Sequence, residues 1–364
     1  MSNNFDYRIK NIFFYISLMS LCFFMQIYPS NFPQNMLIKK PIVPMFPGPD
    51  VSKRMDTQLL YGERVIALEE KAGKLKIQAL EEQFIGLSSG RLEGFEGWID
   101  ANSVQACDRF PEYTSIVQNR WARVYKEPNT TSDVICELSF GTLLDTIRDN
   151  KTDITEWIKV GLVHEKNHEY GFVQASNIYD LSHVKNIHSI RKRLITLAQL
   201  FLETKYRVGG RSAHHVNCSG FINLLYRASG LLIPLKAHDQ YLMSRSIDAS
   251  QVEPGDLVFI HQPAKRKRMA HVIMYLGDNL FIEAGNNVCI ITADKLFHGL
   301  SGSSGSSGSW RTLKNGAQRK KSTVYFGSFL QDQEYVDYMQ RDLLELSYLD
   351  SDNNWRCTRP SVPQ

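Results

Sequence analysis

The chain has 364 residues, 43% of them hydrophobic and 22% charged, a usage that supports packed cores and excludes both a disordered chain and a polytopic membrane protein. At roughly 100 to 200 residues per domain, this length asks for two or three domains. The 42 Lys and Arg against 38 Asp and Glu leave a net charge of +4, too weak a bias to call for a nucleic-acid partner, and none is expected.

Arg8 and Lys10 precede an uncharged apolar run, Ile12 to Tyr28, which is followed by Pro29 and Ser30. A basic start before an apolar run is the pattern of an export signal. Residues 1–30 are therefore read as a signal peptide or N-terminal anchor, and the protein as exported, periplasmic or envelope-associated. No A-x-A site follows the run, so a retained run, with residues 12–28 as a membrane tether, stays open. The cysteines are Cys22, Cys107, Cys136, Cys218, Cys289 and Cys357, with no C-x-x-C pair. Removing Cys22 leaves an odd number, so an exported chain keeps at least one unpaired thiol.

After an extended Pro-rich entry, Pro41 to Pro49, short apolar runs and turns alternate: Leu59 to Glu63, Val65 to Leu68, Leu75 to Ala79, and Gly97-Trp98-Ile99-Asp100. This is the pattern of a small all-β unit, assigned to residues 31–110. A similar order recurs as Leu138 to Thr142, Leu143 to Ile147, Trp157 to Val160 and Tyr170 to Val173, which gives a second unit at 111–182 by internal duplication. The period then changes. Ile187, Ile190, Leu194, Leu197, Ala198 and Phe201 recur every three or four residues, as on an amphipathic helix. Strand patterns follow at Leu257 to Ile260, Val272 to Leu276 and Leu280 to Ala284, and a helical one at Glu334 to Tyr348. Helices followed by a sheet make residues 183–348 an α+β domain, with a flexible Ser/Gly loop at Ser301 to Ser309 and a polar tail at 349–364.

Both β units resemble bacterial SH3-like domains, which place an apolar pair and Gly-Glu before one strand and Gly-Trp-Ile or Gly-Phe-Val before the last. The resemblance implies two small barrels that bind wall peptide or shape a substrate cleft, with a groove lined by Tyr61, Phe95 and Trp98; the alternative makes Trp98 and Trp157 core residues.

The chemistry concentrates in the third domain. Tyr206-Arg-Val-Gly-Gly210 is followed by Asn217-Cys218-Ser219-Gly220-Phe221. Asn217 has the character of an N-cap, Phe221, Leu224, Leu225 and Ala228 form an inward face, and Gly230 suits the stop. Cys218 then lies at a helix N-terminus, where exposed amides and the dipole favour thiolate, the form a nucleophile needs. Further on come Glu253-Pro-Gly-Asp-Leu-Val-Phe259 and Ala270-His271-Val-Ile-Met-Tyr-Leu-Gly277, which leads into Phe281-Ile-Glu283-Ala284.

Together these segments, from about Ile190 to Ala284, resemble the NlpC/p60 family of papain-like cell-wall peptidases. That family shows Tyr-x-Trp-Gly-Gly, Asp-Cys-Ser-Gly at a helix start, Pro-Gly-Asp-Leu, then His-Val-Gly-Ile-Tyr-Leu-Gly with a polar residue about twelve positions later. The resemblance implies a papain-like domain with a triad of Cys218, His271 and Glu283 that cleaves peptidoglycan stem peptides after D-Glu and before the diamino acid. It also implies a role for Tyr206 as donor to the oxyanion, for Asn217 and Ser219 in holding a free L-Ala amine, and for Glu63 as a carboxylate presented to that amine. Asn217 replaces the family's Asp, Val208 its Trp and Ile273 its Gly; losing the Asp removes a charge-assisted partner for an ammonium.

In such a triad His271 exchanges a proton with Cys218 and the leaving amine, while Glu283 orients the imidazole. Side chains alternate along a strand, so the hairpin loop decides whether Glu283 reaches His271. A three-residue loop pairing Tyr275 with Asn279 sets them opposite; a two-residue turn at Gly277-Asp278 sends Glu283 to the other face, leaving Asn286 or Asn287 as orienter. Lys265 to Arg268 is either a solvated basic loop or a patch for anionic wall polymer. His214 and His215 have no cysteine or carboxylate partner at ligand spacing, so no metal and no cofactor is expected. Two other readings remain open at this point: a non-catalytic wall-binding protein, and an amidase or acyltransferase that uses the same nucleophile.

Overall fold

The computed structural model describes residues 32–344 apart from 51–53, 86–91, 148–155, 166–167, 185, 265–266, 299–308 and 320. The apolar run at 12–28, most of the Ser/Gly tract, the first half of the Lys265 to Arg268 run and the tail at 349–364 lie outside the described residues.

The first unit comprises strands β1 (Gln34–Ile38), β2 (Ile42–Met45), β3 (Thr57–Leu60), β4 (Arg64–Lys71), β5 (Lys74–Ile85), β6 (Leu92–Asp100) and β7 (Val104–Ala106). They form an antiparallel sheet in the order β6-β5-β4-β1-β7 and a separate β2-β3 ribbon. The second contains β8 (Ser115–Val117), β9 (Trp121–Tyr125), β10 (Val134–Ser139), β11 (Leu143–Leu144), β12 (Trp157–Glu165), β13 (His168–Gln174) and β14 (Ile178–Asp180), as the sheets β10-β9-β13-β12 and β11-β8-β14. Matching features support the duplication. Each unit has a positive-φ glycine directly after an aromatic residue, Gly62 after Tyr61 and Gly141 after Phe140, and a 3-10 turn before its last strand, Ala101–Ser103 and Ala175–Asn177.

Among the described residues no sheet in either unit closes on itself, so the expected barrels appear as pairs of open sheets. In the first unit the ribbon meets the larger sheet at a backbone pair, Phe46 with Trp98. The expected aromatic groove is also redistributed. Tyr61 is buried, and its hydroxyl accepts from the Val163 amide at 2.7 Å, joining the two units. Phe95 and Trp98 are half-buried, and the Lys236 ammonium lies 4.6 Å from the Phe95 ring centre.

The third unit is mixed α and β. It contains α1 (Ile187–Gln199), α2 (Cys218–Ala228), α3 (Ala237–Met243), β15 (Arg245–Ile247), β16 (Leu257–His261), β17 (Met269–Gly277), β18 (Leu280–Ala284), β19 (Val288–Thr292), α4 (Ala293–Phe297), β20 (Ala317–Arg319), β21 (Ser322–Ser328) and α5 (Gln333–Leu344). The sheet runs β15-β21-β16-β17-β18-β19, with β20 added on β21. In α1, Asn186 caps the Ser189 amide at 2.9 Å, and Ile190, Leu194, Leu197 and Ala198 form the buried face that the periodicity predicts.

The units share one core. Leu60 of the first and Ile116, Phe140, Leu143 and Leu181 of the second pack in the same cluster as Leu194, Phe201, Phe221, Leu224 and Val272 of the third. An ionic cluster is buried at the same junction. Arg64 pairs with Glu81 at 2.8 Å, Arg211 with Glu63 at 2.9 Å and with Glu82 at 2.6 Å, and Arg227 with Glu63 at 3.1 Å; none of these side chains is more than 3% exposed. Burial pushes the Glu82 carboxyl up to about 7, with Arg211 beside it pulling the other way.

Removing one partner from such a cluster leaves an uncompensated buried charge, which costs about 3–5 kcal/mol. Arg211→Met is expected to lower the unfolding free energy by about that amount in urea titrations, whereas a loss below about 1 kcal/mol would show that the cluster carries little. For Glu82 the folded chain keeps a proton that the unfolded chain has released between pH 4.5 and about 7. Stability contributed by this group is therefore full at low pH and falls through that window, and Glu82→Gln should flatten that part of a stability-against-pH curve.

Candidate active site

Cys218 is placed by helix-start chemistry. Asn217 stands in an extended conformation before α2, and its Oδ1 accepts the Gly220 amide at 2.6 Å, which places Cys218 in the first turn among unpaired amides. Two glycines permit the packing around it. A Cβ on Gly220 would sit 2.4 Å from the Gly210 carbonyl oxygen, and one on Gly209, at φ +73°, would sit 2.6 Å from that of Met55. The loop between Tyr206 and Asn217 thus fits between α2 and the first unit with no room for a side chain at either point. Arg211 of the loop donates to Asn223 Oδ1 of α2 at 2.7 Å, and Gln240 of α3 donates to the Ser219 carbonyl at 3.1 Å.

His271 lies near the start of β17, opposite Ile260 of β16. Its Nε2 is 2.7 Å from Glu283 Oε2, with side chains 22% and 23% exposed, which leaves Nδ1 for the hydrogen bond to Cys218. The three groups tune one another. Burial opposes the thiolate of Cys218, but the hydrogen bond and charge of His271 and the Val272 and Ser219 amides outweigh it and hold the thiol below its ordinary value. Burial likewise disfavours imidazolium, yet the bonds to Cys218 and Glu283 push His271 up to about 10. Glu283 is held down by its bond to His271. The shifts run in the direction of a thiolate beside an imidazolium.

The hairpin departs from both expected loops. The turn is the two residues Asp278 and Asn279, both at positive φ, with Gly277 opposite Leu280. That parity alone would turn Glu283 away. The register shifts between Tyr275 and Gly277, so that Tyr275 faces Phe281 and Met274 faces Ile282. This bulge at Leu276 restores the parity and brings Glu283 to the His271 side. Of the two fallback amides, that of Asn287 donates to Glu203 at 2.6 Å, while the Asn286 backbone carbonyl accepts the Tyr206 amide at 3.0 Å.

The other sequence-predicted residues divide. Tyr206 is 37% exposed and bridges to Val216, two residues before Cys218. Ser219 is buried, its hydroxyl 3.4 Å from Asn217 Oδ1. Glu63 is not offered to a substrate amine, because its carboxylate is buried and taken by Arg211, Arg227 and the Leu60 amide. The His214 ring packs against Trp121 with centroids 4.5 Å apart, and among the described residues no cluster of three or more His, Cys, Asp or Glu is placed to hold a metal. Sequence reasoning missed Gln240; its signal was an amide one turn before Met243 on a buried helix face.

Residues 203–301 match the model of the NlpC/P60 family. The chain carries an NlpC/P60 domain. Over 272 residues it is 24% identical to a dipeptidyl-peptidase 6 of Lysinibacillus sphaericus, spanning 72% of this chain and 92% of that one. Over 241 residues it is 24% identical to a gamma-D-glutamyl-L-lysine dipeptidyl-peptidase of Bacillus subtilis strain 168, spanning 65% and 76%. In fold it resembles the crystal structure of an NlpC/P60 family protein from Bacillus cereus ATCC 10987, with a TM-score of 0.62, 19% identity, and 81% and 99% of the two chains covered. The likeness therefore reaches beyond the NlpC/P60 domain into the β units before it.

A thiolate stabilised by His271 should be alkylated with an inflection below the ordinary thiol value of 9.0, and His271→Ala should move that inflection upward. Iodoacetamide kinetics against pH on the intact chain measure this; an inflection unchanged in the variant would separate the imidazole from the sulfur.

Proposed function

We propose that the protein is an exported cysteine peptidase that hydrolyses peptidoglycan stem peptides between D-Glu and the diamino acid through a thioester on Cys218. The observation that carries the reading is the hydrogen-bonded series from Cys218 at the start of α2 through His271 to Glu283, 2.7 Å from the imidazole. Two relatives named as dipeptidyl-peptidases, one for a gamma-D-glutamyl-L-lysine bond, support the class of substrate.

The thiolate attacks the scissile carbonyl carbon, and negative charge moves to its oxygen. Amides at the start of α2 and the Tyr206 hydroxyl are the donors for that oxyanion. His271, already protonated, gives its proton to the leaving amine as the C–N bond breaks, which yields the thioester and a neutral imidazole. Water then attacks the thioester, loses a proton to His271 and releases the acid and the thiolate. Glu283 keeps the ring oriented and balances its charge in both halves. The β units before the domain act as SH3-like modules that narrow the cleft and hold the wall polymer.

Asn217 and Glu63 shape the choice of substrate. Asn217 is neutral and spends its oxygen on the helix cap, and Glu63 is neutralised by two arginines. Neither supplies a carboxylate for a free peptide amine, which favours cutting within longer stem peptides over strict removal of dipeptides from a free end.

Purified muropeptides incubated with the chain and with Cys218→Ala, followed by mass spectrometry, test the reading. Cleavage at the D-Glu bond by wild type and a loss of about 10⁴-fold or more in the variant are expected. Retained turnover in Cys218→Ala would exclude this nucleophile, and a product cut at another bond would exclude the assigned specificity.

A further inference from the structure

A second pocket, with a volume of about 610 Å³, opens where the three units meet. Lys40 and Gln58 come from the first unit, Trp121 and Glu137 from the second, and Arg207 and His214 from the loop that ends at Asn217 and Cys218. Junctions between units are where small-molecule sites concentrate, and the volume lies within the range of such sites. We propose that this pocket is a saccharide subsite, which takes the glycan part of a wall substrate while the stem peptide occupies the cleft at Cys218. The inference rests on the peptidoglycan reading above.

The chemistry of the walls selects the ligand class. The half-buried Trp121 indole is steadied on one side by the His214 ring, at 4.5 Å and 61°, and Pro41 and Pro44 add flat apolar surface. Around this platform stand planar side chains with fixed donors and acceptors: Gln58, Glu137, Arg207 and His214. A pyranose has the complementary form, with a face of C–H groups that lies on an aromatic ring and a rim of hydroxyl and acetamido groups that meet planar amides and guanidinium in pairs. The charge is also selective. Lys40, whose ammonium donates to Asn102 Oδ1 at 2.7 Å, and Arg207 line the pocket with a single carboxylate, Glu137, which is already shared with Arg123 at 3.3 Å. The excess is positive and suits a sugar that carries an acidic neighbour, as where a stem peptide joins its amino sugar.

The pocket and the nucleophile are tied by one short segment. Arg207 directly follows Tyr206, and His214 lies four residues before Cys218. Binding a saccharide here thus fixes the position of the loop that also places Tyr206 and the helix cap. A purely peptidic ligand would leave the indole platform and its polar rim without a counterpart.

Calorimetry on the full chain carrying Cys218→Ala, which binds without turnover, tests the subsite with three probes: a free stem peptide, the same peptide on its amino-sugar disaccharide, and the disaccharide alone. The disaccharide peptide is expected to bind about tenfold more tightly than the free peptide, a gain equal to one or two net hydrogen bonds. Adding Trp121→Ala, or the surface changes Arg207→Ala and His214→Ala should the first fail to fold, is expected to abolish that gain while leaving free-peptide affinity unchanged. Equal affinity for the two peptides, or a gain that survives these substitutions, would overturn the subsite. If no peptide probe binds, the peptidase reading fails, and disaccharide binding that the same substitutions remove would still uphold the pocket.

Discussion

The buried exchange of charge between Glu63, Glu81 and Glu82 on one side and Arg64, Arg211 and Arg227 on the other decides where Cys218 stands. Arg227 lies in the last turn of α2 and Arg211 in the loop before it, so both ends of the approach to Cys218 are tied to the first β unit. Ion pairs of this kind seldom add much net stability, because desolvation offsets attraction. What they do enforce is registration: a shift of α2 by a fraction of a turn would strand several charges in a medium that cannot solvate them. The site inherits its accuracy from that intolerance, since the sulfur must meet an imidazole on a strand from elsewhere in the sequence.

The same economy appears at Cys218, His271 and Glu283. Burial works against charge on Cys218 and His271 alike, and the bond between them works for it, lowering the one and raising the other. Glu283, 2.7 Å from the imidazole, favours charge on that ring more than the neutral amide of Asn286 or Asn287 would. The bulge at Leu276 is a backbone irregularity whose effect is chemical: it selects which side chain orients the base.

Features that depend on neighbours in sequence are legible in the sequence itself. The Asn217 cap, the inward face of α2 and the positive-φ Gly230 that follows it are local preferences, and so is the strand-and-turn rhythm of the duplicated units. The hairpin was only half legible. Asp278 and Asn279 are residue types that tolerate positive φ, but the bulge arises from pairing across strands and has no local signature. Sheet closure failed for the same reason, because a strand pattern does not say which edges meet. Glu63 shows the limit most sharply. Its place after Gly62 was readable, yet its role is set by Arg211, 148 residues away, and a carboxylate expected to greet substrate is consumed by the fold.

Leu60, Phe140 and Leu224 lie in one apolar cluster although they belong to three successive segments of the chain. The boundaries at 110 and 182 therefore mark changes of pattern and do not mark pieces that can be exchanged like cassettes. A duplicated module usually offers evolution a part to add, lose or swap; here the modules have become walls of the catalytic unit's own interior. A substitution in either that disturbs this shared packing disturbs the interior on which α2 rests.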